Sequence, residues 1–395
     1  MKRTYGREFG FRTRCVHAGN DVDQDSGAIK RPITMANSYE LPYDPSSLNW
    51  SSAEGNLYTR NGGTNQKYLQ ERIAVLEGGE DCIVLASGVA VLAGLFFTKL
   101  DRNDHVIFSD VTYIAVYRLL HELLNNKYGV ETTIVDTSDP KKVEEAMRPN
   151  TKLVHIETPG NPTLKISDIQ RIAAIVHAHG AQISVDNTFA SPYNQRPLEL
   201  GADYVIESLT KYINGHGDAM GGAIVGRKQD LDSIRAQAQV NLGATISPFN
   251  AWLIMRGSVT LPLRMRAHNE NGLAVAEYLQ DLPCVSFVTY PGLPTDEGHA
   301  TAVKQMSGYG GMVSFGLKAA HDKCNEFVSH LRVITSAVSL GHDESLIVFL
   351  GEDDERQYLY PERFHHGFFR LSVGIEDTRD IIDDLDRALR ATGLL

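Results

Sequence analysis

Between Ser184 and Gly217 the chain reads SVDNTFASPYNQRPLELGADYVIESLTKYINGHG. The stretch opens inside one short apolar run, 182–185, and crosses a second at 204–206. Runs this short and this apolar read as strands buried on both faces. Further runs stand on either side at 82–86, 105–108, 132–135, 152–156 and 222–225, and helix-like stretches at 113–125, 140–147 and 167–178 separate most of them. This alternation predicts a largely parallel sheet with helices on both faces. A ligand then belongs at the carboxyl ends of the strands.

Farther out the pattern changes. Residues 1–57 collect turn formers with little clean periodicity and read as an N-terminal arm. A helix face follows at Tyr68, Leu69, Ile73 and Leu76, ended by Gly78 and Gly79. Residues 58–256 form the large α/β domain in this reading. Residues 257–395 form a smaller α+β domain: a long helix over 259–281, strands at 285–289, 312–317, 346–350 and 368–373, and helices near 322–331 and 377–391. With 395 residues, roughly two to three domains are expected, with material for a large core.

Composition narrows the partners. The 38 Lys and Arg against 49 Asp and Glu leave a formal charge of −11, which argues against nucleic acid and for a small molecule. No run approaches the roughly 18 apolar residues of a membrane span, and the basic start has no apolar stretch behind it, so a cytoplasmic, non-membrane protein is expected. Cys15, Cys82, Cys284 and Cys324 are scattered, which fits neither a disulfide framework nor a zinc ribbon. His216, His365 and His366 lack ligand spacing, so no metal is expected.

Within the opening stretch Asp186 ends one strand, and Ser208, Thr210 and Lys211 follow the next, so both edges face one crevice. Pyridoxal 5'-phosphate (PLP) needs such a set: an amine for its aldehyde, hydroxyls for its phosphate and a carboxylate for its ring nitrogen. Ser87, Gly88 and Val89 join a strand to an apolar helix, whose first N–H groups suit the same phosphate.

Tyr58–Arg60 (YTR), Leu76–Gly79 (LEGG), Ala86–Gly88 (ASG), Glu157–Pro162 (ETPGNP), Asp186–Thr188 (DNT), Ser208–Gly217 (SLTKYINGHG), Ser247–Arg256 (SPFNAWLIMR) and Arg370–Asp377 (RLSVGIED) together resemble the Cys/Met metabolism family of PLP enzymes. That family includes cystathionine γ-lyase, cystathionine γ-synthase, methionine γ-lyase and O-acetylhomoserine sulfhydrylase. The match runs in order over roughly residues 55 to 380. It implies the PLP-dependent aminotransferase-like (type I) fold. It also implies Lys211 as the lysine that binds the cofactor aldehyde and shuttles protons, Asp186 as the ring-nitrogen partner and Tyr113 as the tyrosine stacked on the ring. Ser87, Gly88, Val89, Ser208 and Thr210 match phosphate contacts. Tyr58 and Arg60 resemble a pair that reaches the phosphate of a neighbouring subunit, which implies a homodimer of active sites and commonly a tetramer. Arg370 matches the arginine for the substrate carboxylate, with Asn161 and Ser339 as its accessory contacts.

The departures concern substrate. Ile114 and Ala115 follow Tyr113, where methionine γ-lyases carry a cysteine two positions on, and Val338 replaces the glutamate that cystathionine enzymes usually have before the serine. Arg118 stands where some cystathionine enzymes hold a distal carboxylate. The expected His-Pro-Ala region after Leu346 is replaced by IVFLGEDDERQYLYPERFHH. Its run Glu352, Asp353, Asp354 and Glu355 is either a solvated loop or the receiver of a cationic distal group, which makes canavanine, a γ-oxyguanidino amino acid, a candidate substrate. The reading is therefore a PLP-dependent lyase acting at Cγ or Cβ of an amino acid with a heteroatom leaving group. The alternatives are a γ-replacement synthase and, from another class, a non-catalytic regulatory or scaffold protein.

Overall fold

The computed structural model describes residues 5–49, 57–350 and 357–395. Seven strands form the larger sheet: β1 (Asp81–Leu85), β2 (His105–Ser109), β3 (Glu131–Val135), β4 (Thr151–Glu157), β5 (Gln182–Asp186), β6 (Tyr204–Glu207) and β7 (Gly222–Gly226), in the order β1-β7-β6-β5-β4-β2-β3. The strands from β3 across to β6 pair in parallel, as the alternation predicts. β7 is the exception and runs antiparallel to both neighbours. The connection between β6 and β7, Ser208–Gly221, is taken up by the Lys211 turn and the loop after it and holds no crossover helix of the kind that parallel pairing usually uses.

Helices cover both faces. Val91, Leu92, Leu95 and Phe96 of the helix Gly88–Lys99 pack with Ile83, Phe108, Tyr204 and Ile224. On the opposite face Leu69 and Ile73 of the helix Thr64–Glu77 meet Val84, Val205 and Val225. Successive side chains of a strand point to opposite faces. Ile224 and Val225 thus serve different cores, and the apolar runs have no polar alternation.

Five further strands, β8 (Val285–Thr289), β9 (Met312–Leu317), β10 (Thr335–Ser336), β11 (Leu346–Phe349) and β12 (Phe368–Ser372), make a smaller sheet in the order β10-β11-β12-β9-β8. All pairings except β10 with β11 are antiparallel. The helix Leu261–Gln280 joins the two sheets: Leu261 and Met265 lie in the core with Leu209 and Tyr212, and Val275 and Leu279 lie in the core with Phe315 and Phe369. Buried Arg264 donates to the carbonyls of Tyr212 and Ile213, 2.6 and 3.2 Å away, so this helix also props the Lys211 loop. The N-terminal stretch read as an arm contains a helix, Phe11–His17, held by buried Arg72 donating to the carbonyls of Val16 and Ala18.

Candidate active site

β5 and β6 end side by side, so Asp186 and the Ser208–Lys211 turn stand at the same carboxyl edge. Lys211 donates to Ser339 Oγ at 2.6 Å, and Arg370 donates from Nη2 to the Ser339 carbonyl at 2.9 Å and from Nη1 to Asn161 Oδ1 at 2.9 Å. Ser339 thus ties the larger sheet's lysine to the smaller sheet's arginine. It adopts φ +84°, a left-handed conformation that costs a non-glycine residue about 1–3 kcal/mol. Burial, and then the Arg370 charge, push the Lys211 amine down to about 8.

Asn161 is anchored from below. Glu157, at the end of β4, accepts the backbone N–H of Asn161 at 2.8 Å, the backbone N–H of Tyr113 at 2.6 Å and the Thr112 hydroxyl at 3.1 Å. One carboxylate therefore sets both Tyr113 and Asn161, while the Tyr113 side chain stays exposed. Burial and then the neighbouring Asp186 push Glu157 up to about 8. Asp186 is buried and accepts from the Thr188 N–H at 3.0 Å, and burial raises it as well.

The third part is a narrow cradle. Ser87 caps the helix Gly88–Lys99 by accepting from the Ala90 N–H at 3.1 Å. A Cβ at Gly222 would sit 2.3 Å from the Ser87 carbonyl oxygen and 2.6 Å from the Gly88 nitrogen, and one at Gly88 would sit 3.3 Å from Ser208 Cβ. Glycine is thus required at Gly222 for this approach, and a side chain at Gly88 would crowd Ser208. Val89 lies in the first turn of the same helix. The Thr210 hydroxyl exchanges 3.2 Å contacts with the Gly221 carbonyl and N–H, and the Ser208 N–H donates to the Thr188 hydroxyl at 2.8 Å. These residues fit PLP: a buried amine of lowered basicity, a buried carboxylate suited to a cationic ring N–H, and a helix start with adjacent hydroxyls for a phosphate.

The model for Cys/Met metabolism PLP-dependent enzymes matches residues 12–390. The chain belongs to this family. It is 52% identical over 384 residues to canavanine γ-lyase of Pseudomonas canavaninivorans, covering 96% of both chains. It is 53% identical over 389 residues to canavanine γ-lyase of Rhizobium leguminosarum bv. trifolii, covering 97% of this chain and 96% of the other. The crystal structure of cystathionine γ-lyase from Lactobacillus plantarum complexed with L-serine superposes with a TM-score of 0.89 at 35% identity, covering 98% of this chain and 100% of that one. This Cys/Met metabolism enzyme thus uses PLP, has the type I fold and is a carbon–heteroatom lyase.

The other residues singled out in the sequence lie apart from this cluster. Tyr58 is 40% exposed, with the Arg60 guanidinium 5.3 Å from its ring centre. The Arg60 carbonyl accepts from Thr245. Among the described residues neither side chain is hydrogen-bonded to the Ser87–Thr210 cradle of its own chain. Arg118 is exposed at the start of the π-helical stretch Arg118–Tyr128, one turn beyond Tyr113. The acidic run Glu352–Glu355 lies outside the described residues. In the 3-10 turn Gln357–Leu359 the Tyr358 hydroxyl lies 3.0 Å from that of Tyr117.

Two kinds of residue escaped the sequence reading. Glu157 opens the quoted ETPGNP segment, but nothing local says that its carboxylate turns back onto Tyr113. Glu77 and Glu207, both buried, flank Asn187, whose side-chain N–H lies 3.3 and 3.1 Å from their carboxylates. They come from 130 residues apart in sequence, so only the fold reveals the pair.

Proposed function

We propose that this enzyme releases the γ-substituent of an amino acid whose distal group is cationic, with canavanine as the substrate and hydroxyguanidine as the leaving group. The reaction reading is carried by the contact of Lys211 and Arg370 with one residue, Ser339. A guanidinium that grips an α-carboxylate there presents Cα to the amine. Lys211, whose lowered basicity favours the neutral amine, takes the Cα proton, gives it up again and then takes the Cβ proton. Asn161 and the Ser339 backbone orient Arg370, and in this reading Tyr113 assists proton transfer to the departing group. PLP, when bound, supplies the electron sink that makes Cα acidic, with Asp186 holding its ring nitrogen and Ser87, Gly88, Val89, Ser208 and Thr210 its phosphate.

The choice of canavanine is supported by the 52–53% identity to two canavanine γ-lyases over nearly full lengths. A guanidino group calls for carboxylates, and Glu352, Asp353, Asp354 and Glu355 are the candidates. Tyr58 and Arg60, exposed on their own chain, complete the phosphate site of a second copy in this reading, so the working unit is a homodimer or larger, with tetramer as the family's usual size. No helix among the described residues is long and apolar enough to cross a membrane, and a cytoplasmic setting is proposed.

Mass spectrometry of products from holoenzyme given canavanine, cystathionine, methionine, or O-acetylhomoserine with a thiol tests the proposal. Free hydroxyguanidine from canavanine at a kcat/KM well above the thioethers is expected. A 2-oxo acid from cystathionine or methionine with canavanine untouched would overturn the substrate, and a thioether formed only with O-acetylhomoserine would make the enzyme a synthase. Alanine at the four acidic positions is expected to raise KM for canavanine about 10- to 100-fold with smaller change in kcat. Unchanged kinetics would make that run a solvated loop.

A further inference from the structure

The Ser339 hydroxyl has a second neighbour. His342 Nε2 lies 3.2 Å from Ser339 Oγ, the same oxygen that Lys211 reaches at 2.6 Å. The histidine is wedged against the loop that carries Lys211: a Cβ at Gly217 would come within 3.1 Å of His342 Nδ1. Gly341, at φ +68° with its N–H donated to Ser372 Oγ at 2.9 Å, fixes the turn between Ser339 and His342. The charged groups around the ring are Lys211 from the larger sheet's loop, Asp343 and Glu344 from its own segment, and Arg370 of β12, which binds the Ser339 carbonyl. His216, next to Gly217, turns its Nδ1 to the Asn214 carbonyl instead.

A hydroxyl has one hydrogen to give and two lone pairs to receive with. With Lys211 donating, the Ser339 hydrogen is free to point at Nε2, provided that His342 is neutral and carries its proton on Nδ1. A protonated His342 is a donor at both nitrogens. Ser339 Oγ would then receive from both sides, its own hydrogen would lose this acceptor, and two cations would face one oxygen. The charged forms of Lys211 and His342 thus disfavour each other. Burial first, and Lys211 second, hold His342 below the usual histidine range, which keeps the chain running from lysine to serine to histidine near neutral pH.

We propose that His342 is a positioning residue for Lys211: through the Ser339 hydroxyl it sets the direction of a Lys211–Ser339–His342 hydrogen-bond chain, and reverses that chain when it takes a proton. The inference rests on Lys211 as the working amine.

Two measurements on the full chain test it. Histidine-selective NMR titration of the wild type and of Lys211→Met reads the coupling without turnover: the His342 midpoint is expected below the ordinary 6.5 and to rise by about one pH unit in the variant. The pH dependence of kcat/KM of holoenzyme reads the consequence. His342→Gln, which accepts a hydrogen bond but does not titrate, is expected to stay within about threefold of wild type above pH 8 and to lose the break at the His342 midpoint. His342→Ala is expected to fall about tenfold or more throughout. An unmoved His342 titration in Lys211→Met, or a Gln variant that fails equally with Ala while keeping the wild-type acid limb, would overturn the proposal. Full activity of Lys211→Met would instead overturn the role of Lys211, and the NMR coupling would still decide the fate of the histidine.

Discussion

Lys211 shows how one environment turns a common side chain into a reagent. Burial and the Arg370 guanidinium both disfavour its ammonium form, and the amine drops from 10.5 to about 8. Uptake of PLP by the cofactor-free chain is therefore expected to accelerate about tenfold per pH unit up to about pH 8 and then level off. Growth of the bound cofactor's absorbance measures this, and a rise continuing to pH 10 would contradict it. Lys211→Ala is expected to lose both that absorbance and turnover. Arg370→Lys removes a two-sided grip and keeps the charge, and a rise in KM of about 100-fold with a smaller loss in kcat is expected. Lys211, Asp186 and Arg370 were legible in the sequence because each sits in a short motif whose neighbours share its task. Glu157 and His342 were not, because a carboxylate reaching from β4 to the Tyr113 N–H, or an imidazole reaching Ser339, depends on where segments cross.

At the level of elements, the site is made of ends. The helix Gly88–Lys99 begins at the cradle because Ser87 caps it, so Ser87→Ala is expected to cost about 1 kcal/mol of stability and to weaken PLP retention together. Urea unfolding and PLP dialysis would show the two losses; one loss without the other would separate the cap from the phosphate, and finding neither would contradict both roles. In the smaller sheet, buried Asp384 of the helix Thr378–Ala391 accepts the backbone N–H groups of Arg332, Val333 and Ile334 just before β10. Burial pushes its carboxyl up, but those bonds, with that from Arg387, together outweigh burial and hold it below the usual range. Its stabilisation is present above the ordinary carboxylate pKa and is lost as pH falls through the lowered one. Asp384→Asn is expected to lower the melting temperature at pH 7, with the gap to wild type closing in acid. Strand positions 285–289 and 312–317 were read to the residue, since an apolar run between turns is a local signal. The antiparallel direction of β7 was not, because direction is set by how the connection after β6 folds, and there it forms the Lys211 turn and not a crossover helix.

Across the whole molecule, Glu77, Asn187 and Glu207 join the helix Thr64–Glu77, the turn after β5 and β6 beneath the site. Two buried carboxyls here oppose double ionisation, and burial raises Glu77 from 4.5 to about 7. The folded chain then holds a proton that the unfolded chain releases between those values. The stability contributed by this one proton falls as pH rises through that window, by up to about 1.4 kcal/mol per unit. Glu207→Gln removes one charge and is expected to flatten this slope, as read by denaturant unfolding at pH 5, 6 and 7. An unchanged slope would mean that the pair does not titrate together. Assembly has its own test: mixing Arg60→Ala with Lys211→Ala subunits, each inactive alone, is expected to restore about a quarter of full activity if Arg60 serves a partner's site. The residue types at each strand end, the order of strands and helices, and hence the PLP-binding α/β fold were determined by the sequence by itself, because apolar runs, glycine turns and short motifs act through neighbours in the chain. Only the tertiary structure decided that Lys211 meets Ser339 across 128 positions, that His342 stands behind that serine and that two glutamates share one buried asparagine. Those pairings depend on how two sheets pack against one helix, and packing joins residues that no local pattern connects.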